Sequence, residues 1–121
     1  MASSDFILLE NLTAGMTEPC LLDIKIGWLP YNPLKMERQA WKITESSQGT
    51  HGFRMCGFRG FKRNKGNKGT GFFVDKYIGR KVKGPDLPNQ LAQFFSNGLA
   101  LRTPTITSLL TKLRTMQAII S

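Results

Sequence analysis

The sequence predicts an α+β fold, an antiparallel sheet with flanking helices, with residues 5–120 forming a single domain. Three observations predict it. Period-two alternation at Cys20–Ile26 and His51–Phe61 reads as strands. A glycine- and lysine-rich stretch at 62–71 (KRNKGNKGTG) separates two phenylalanine-containing runs, as the flexible loop of a hairpin does. Two C-terminal segments repeat apolar residues at helical spacing. With 121 residues and 13.6 kDa there is room for one core, and 40% hydrophobic with 21% charged residues excludes a disordered, collagenous or coiled-coil chain.

The elements follow in order. Asp5–Glu10 reads as a short buried strand, and its apolar run Phe6–Leu9 is too short for a signal-peptide core or a membrane span. Gly15 and Thr17-Glu18-Pro19 supply a turn before Cys20–Ile26, which sends Asp23 and Lys25 to one face and Leu22, Ile24 and Ile26 to the other. Asn32-Pro33 then reads as a helix start, and Leu34–Glu45 as the helix. Met36, Ala40 and Ile43 form its inward face, while Lys35, Arg38, Gln39 and Lys42 form a polar stripe. After the strand His51–Phe61, Phe72–Asp75 is the returning arm of the hairpin. A helix over Leu87–Ser96 buries Leu87, Leu91, Phe94 and Phe95 and stops at Asn97-Gly98. The last helix starts at Thr103-Pro104 and aligns Ile106, Leu109, Leu110, Leu113 and Ile120.

Charge is concentrated. The net charge is +9, and between Arg54 and Lys83 lie ten basic residues and one acid, Asp75. The remainder of the chain is neutral, so the excess sits in one central stretch that attracts phosphate or simply remains solvated. Three cations on the 35/38/39/42 stripe repel one another unless an anion lies over them. Asp23 and Lys25, two apart on one strand face and followed by Gly27, suit nucleotide binding and phosphoryl transfer; taken alone, they are an ordinary polar face of an edge strand. The loop Gly66–Gly71 lacks the strand-before, helix-after context of a phosphate-binding loop and reads as a hairpin tip. His51 has no partner at triad or metal spacing, and Cys56 reads as a small core residue. Cys20 and Cys56 show neither disulfide framework nor metal spacing, which predicts free thiols and a location inside the cell.

Pro19-Cys20-Leu21-Leu22-Asp23-Ile24-Lys25-Ile26-Gly27 matches P-x-x-x-D-x-K-x-G, and in it the chain resembles the inositol phosphate kinases. Further segments agree in order: Phe6–Asn11 resembles that family's hinge strand, Lys35…Arg38-Gln39…Lys42 its substrate helix, and Gly52–Gly57 the strand that follows. Asp75–Lys81 and Phe94–Gly98 are most similar to the hexakisphosphate kinase branch. The resemblance implies the hinge and part of the C-terminal lobe of a fold distantly like protein kinases. It also implies ATP-dependent phosphorylation of a soluble inositol polyphosphate. By position, Glu10 and the Leu12 backbone would meet adenine, and Asp23 would lie by the nucleotide sugar and reacting centre. Lys25 would contact substrate near the transferred group, making Asp23 and Lys25 the catalytic pair. Lys25, Lys35, Arg38, Gln39 and Lys42 would bind substrate phosphates, because fixed cations stabilise charge spread over phosphoryl oxygens.

The cofactors implied are ATP and Mg2+, for which the chain offers no evident ligand. The family also has an upstream strand lobe with a phosphate-binding lysine and a downstream metal-binding aspartate, so the chain is expected to correspond to a fragment, a truncated form or a degenerate relative with weak catalysis. The expected partners are ATP and an inositol polyphosphate, with no membrane span, no nucleic acid and a monomeric state, in cytoplasm or nucleus. Within the family a multikinase or a trisphosphate kinase is the alternative. Outside it, the alternative is a non-catalytic basic module whose hairpin, with Phe58, Phe61, Phe72 and Phe73, grips RNA or anionic phospholipid.

Overall fold

The computed structural model describes residues 4–28, 40–63 and 69–120. At its centre, strands β1 (Leu21–Ile26), β2 (Phe53–Arg63) and β3 (Gly69–Val74) form an antiparallel sheet in the order β1-β2-β3. The alternation in β1 holds at its middle: Leu22 and Ile24 are half-buried, while Asp23 and Lys25 are exposed. Ile26, expected inward, is exposed at the sheet margin.

The sheet has three strands, not four. Asp5–Glu10, expected as a buried strand, is irregular, and Phe6, Ile7, Leu8 and Leu9 are 81–99% exposed. A strand needs a neighbour for its backbone groups and a layer to cover its side chains. Among the described residues the sheet ends at β1, so local propensity has nothing to act on.

The β2–β3 ladder reaches further than expected, with Lys62 opposite Thr70 and Arg63 opposite Gly69, inside the stretch read as loop. Glu18 explains the extension. Its carboxylate accepts from Arg63 Nη2 at 3.2 Å and from the Gly69 backbone N–H at 3.2 Å, joining both arms.

Two short helices, α1 (Trp41–Thr44) and α2 (Gln48–His51), precede β2. Of the expected helix Leu34–Glu45, only the last turn falls within the described residues; there Ile43 is half-buried and Ala40 exposed rather than inward. His51, expected in a strand, closes α2, because Gly52 at φ 73° turns the chain into the left-handed region before β2 begins. After β3, Asp75 caps α3 (Lys76–Gly79) by accepting from the Tyr77 and Ile78 N–H groups. Then α4 (Asp86–Phe95) and α5 (Thr103–Ile120) complete the chain.

Met55, Phe58, Val82, Leu87, Phe94 and Phe95 form the core, with Leu91, Ile106 and Leu109 packed against it. Phe58 is its hub, meeting Phe72 and Phe94 edge-to-face with ring centres 6.0 Å apart in each case. The apolar stripe of α5 is covered only in its first half. Ile106 and Leu109 reach the core, whereas Leu110 and Ile120 are exposed. At about 1.5 Å per residue, the 18-residue α5 is longer than the ten-residue α4.

Helix α3 lies directly on β2: a Cβ at Gly79 would sit 1.6 Å from the Cys56 carbonyl oxygen. Gly79→Ala must separate the two backbones. The expected cost is about 1–3 kcal/mol or more, read as a lower urea midpoint at unchanged slope. An unchanged midpoint would show that α3 does not pack this closely.

Candidate functional site

Asp23 and Lys25 project from one face of β1, and Lys25 Nζ donates to both carboxylate oxygens at 2.8 Å. Both side chains remain about half exposed, so the pair is open to a ligand and adds little to stability. The β1–β2 register slips here. Leu22 opposes Phe58 and Ile24 opposes Met55, which leaves Asp23 across from the two residues Cys56 and Gly57. Such a bulge re-aims the side chains beside it. On its outer side Asp23 borders an open groove of about 590 Å³ whose walls include Leu21, Phe73 and Tyr77.

On the other side the surroundings are cationic. Lys25 is directly opposite Arg54 in the ladder, a like-charged cross-strand pair. Arg54 is only 6% exposed; its Nη1 donates to Gln48 Oε1 at 3.2 Å, while its buried Nε has no hydrogen-bond partner among the described residues. Gln48, itself fully buried, uses its Nε2 to donate to the Gly27 carbonyl at 2.7 Å. Its neighbour Ser47 donates to the Phe53 carbonyl at 2.6 Å, and Ser46 Oγ to the Lys42 carbonyl. The turn from α1 into α2 is thereby fastened to the ends of β1 and β2. Partial burial holds the Lys42 ammonium below the usual lysine value of 10.5; Arg54, Arg80 and Lys25 push it the same way, and only the Cys56 thiol opposes them.

Lys25 is among the cations that act on Lys42, so the two lie within electrostatic reach of each other. Lys35, Arg38 and Gln39 lie outside the described residues. Glu10 and Leu12 are exposed on the N-terminal segment, where Asn11 Oδ1 accepts from the Thr13 N–H at 3.1 Å to hold the turn. Among the described residues no hydrogen bond or ion pair joins Glu10 or Leu12 to Asp23 or Lys25. Arg54 and Arg80 are not singled out by the sequence, since only the register opposite Lys25 and the contact with Trp41 set them apart from the other basic residues. Among the described residues no three His, Cys, Asp or Glu side chains gather where together they could hold a metal ion. Nor is any helix among them long and apolar enough to cross a membrane. Of the four hairpin phenylalanines, Phe58 is buried and Phe72 packs on it, so neither is free to stack on a base.

The fold is that of the inositol phosphate multikinases. A structure of one such enzyme superposes on 75% of the chain with a TM-score of 0.63 at 24% identity, covering 43% of that structure. The Saccharomyces cerevisiae enzyme, solved in complex with ADP and Mn2+, superposes on 88% with a TM-score of 0.62 at 22% identity, covering 48% of it. The family model for inositol polyphosphate kinase matches residues 6–121, and the chain belongs to that family. Inositol hexakisphosphate kinase 2 of Homo sapiens is 34% identical over 119 residues, and inositol hexakisphosphate kinase 1 of Mus musculus 33% over 121. Each match takes in 95% of this chain and 27% of the relative, so the chain spans about a quarter of these proteins.

The lowered Lys42 pKa has a sign that can be tested. The folded chain releases this proton at lower pH than the unfolded chain, so the unfolded state binds more protons as the pH approaches 10.5. The penalty for charging Lys42 is therefore full below its folded pKa and fades as pH rises to the ordinary value. Lys42→Met should unfold at a higher temperature than wild type near neutral pH, with the gap narrowing towards pH 10.5. A gap that is absent, or that widens with pH, would contradict the cationic crowding.

Proposed function

We propose that this chain provides the acceptor-binding part of an ATP-dependent inositol polyphosphate kinase, acting on a soluble and highly phosphorylated inositol such as the hexakisphosphate. The observation that carries the reading is the half-exposed Asp23–Lys25 pair on β1, with Lys25 Nζ 2.8 Å from both carboxylate oxygens, in a chain of this family. Names of the relatives, hexakisphosphate kinases 1 and 2, support the acceptor.

In this reading Lys25 and Lys42 take substrate phosphates, together with Lys35, Arg38 and Gln39 of the stripe expected from the sequence. A bound phosphate competes with Asp23 for Lys25, freeing the carboxylate to face the nucleotide sugar and the reacting hydroxyl. The fixed ammonium of Lys25 then stabilises negative charge as the phosphoryl group passes between oxygens. ATP is the donor, with Glu10 and the Leu12 backbone as its adenine contacts, and Mg2+ supplies charge neutralisation when bound. A soluble acceptor suits a cytoplasmic or nuclear monomer.

Isothermal titration decides between this reading and a basic nucleic-acid module. Lys42→Ala and Arg38→Ala should each weaken inositol hexakisphosphate binding by about 1–3 kcal/mol, the range for charge-assisted contacts. The paired change Lys65→Ala with Lys68→Ala should matter far less, since charges at a hairpin tip are well screened. A larger loss from the tip pair than from Lys42→Ala, with tight binding of a short RNA, would overturn the assignment.

A further inference from the structure

Beyond the expected stripe, the cleft holds two guanidinium groups that no described carboxylate neutralises. Arg80 is clamped: its guanidinium carbon lies 4.5 Å from the centre of the Trp41 ring and 4.7 Å from that of Tyr77. Lys42 Nζ lies over the same Trp41 ring at 5.9 Å, so Lys42 and Arg80 share one aromatic platform. Arg54, buried and opposite Lys25 in the ladder, acts on Lys42 through its charge. Among the described residues the Nε groups of both arginines are buried without a hydrogen-bond partner. The described ion pairs of the fold, Lys25–Asp23 and Arg63–Glu18, involve neither.

A folded chain does not ordinarily leave two guanidinium Nε donors and a crowded ammonium together without an acceptor. Solvation is not the explanation for Arg54, which is almost wholly removed from water. Aromatic contact fixes the plane of Arg80 and leaves its charge unneutralised, an arrangement suited to a planar, bidentate grip on phosphate.

We propose that Lys42 and Arg80, over the buried Arg54, form an additional phosphate subsite that favours the more heavily phosphorylated inositols. Arg80 is the contact residue. Arg54 acts through its charge and through Gln48, as a positioning residue. The proposal rests on the acceptor reading above and deepens it: Lys25 and the 35/38/39/42 stripe suffice for a sparsely phosphorylated ring, and the arginine pair adds cations that only a densely phosphorylated ring can use.

Titration calorimetry on the purified chain tests this with three ligands: inositol hexakisphosphate, an inositol trisphosphate and ATP. Arg80→Gln should weaken hexakisphosphate binding about tenfold or more, the effect of losing one charge-assisted contact, and trisphosphate binding by less than about threefold. Arg80→Lys should recover part of the loss, because it keeps the charge and loses the fork. Arg54→Gln should act in the same direction, and if it fails to fold the two Arg80 variants still decide. Unchanged hexakisphosphate affinity in Arg80→Gln, alongside a loss in Lys42→Ala, would overturn the subsite and leave the acceptor reading standing. No loss in either variant would overturn both. Equal losses for the two inositol phosphates, or a loss confined to ATP, would also overturn the subsite.

Discussion

The buried amide of Gln48 is the contact on which the cleft depends. Its Nε2 holds the Gly27 carbonyl, just past the Asp23–Lys25 strand, and its Oε1 holds Arg54 on the next strand. One side chain thereby fixes α2 against two strand ends, and the adjacent turn serines Ser46 and Ser47 reinforce it through the Lys42 and Phe53 carbonyls. Lys42 stands where it does because of this joint. In an interior of low polarity such paired hydrogen bonds act over short distances and in one geometry only, so the joint specifies position as much as it contributes stability. A glutamine suits the role: it donates and accepts at once, and it brings no charge to a place already crowded with cations.

The rest of the fold supplies rigidity from the opposite side. Phe58, Phe72 and Phe94 interlock edge-to-face beneath the sheet, while Gly79 lets α3 settle onto the β2 backbone. That close approach brings Arg80, one residue on, to the Trp41 ring of α1. Two independent supports therefore converge on one patch of positive charge. Partial burial, and after it the like charges of Arg54, Arg80 and Lys25, disfavour the charged form of Lys42 and lower its pKa. Binding sites commonly keep such destabilising arrangements because a ligand relieves them.

Much of this was legible in the sequence. Alternation at Cys20–Ile26, the hairpin arms around a glycine-rich turn, and the stripes of α4 and α5 each report on a single element facing one core, and each element formed. Phe6–Leu9 misled because an apolar run encodes a wish for burial but no neighbour to provide it. The α5 stripe misled at Leu110 and Ile120 for a related reason, since helical spacing does not say how far the facing layer extends. Arg54 and Arg80 were missed because their significance is tertiary. Nothing local distinguishes them from the other basic residues of the central stretch until register places one opposite Lys25 and a glycine contact places the other on Trp41. The motif carrying Asp23 and Lys25 was the opposite case, a short and specific pattern that pointed to the family before any geometry was known.

The central claim is that the cationic cleft is built to be neutralised by phosphate, and the titration of Lys42 itself reports on it most directly. Side-chain NMR of the lysine-labelled chain, with Lys42→Arg to assign the signal, gives that titration with and without saturating inositol hexakisphosphate. The account predicts a value below 10.5 in the free chain and an upward move when the ligand binds. An ordinary lysine value in the free chain, unmoved by the ligand, would contradict it.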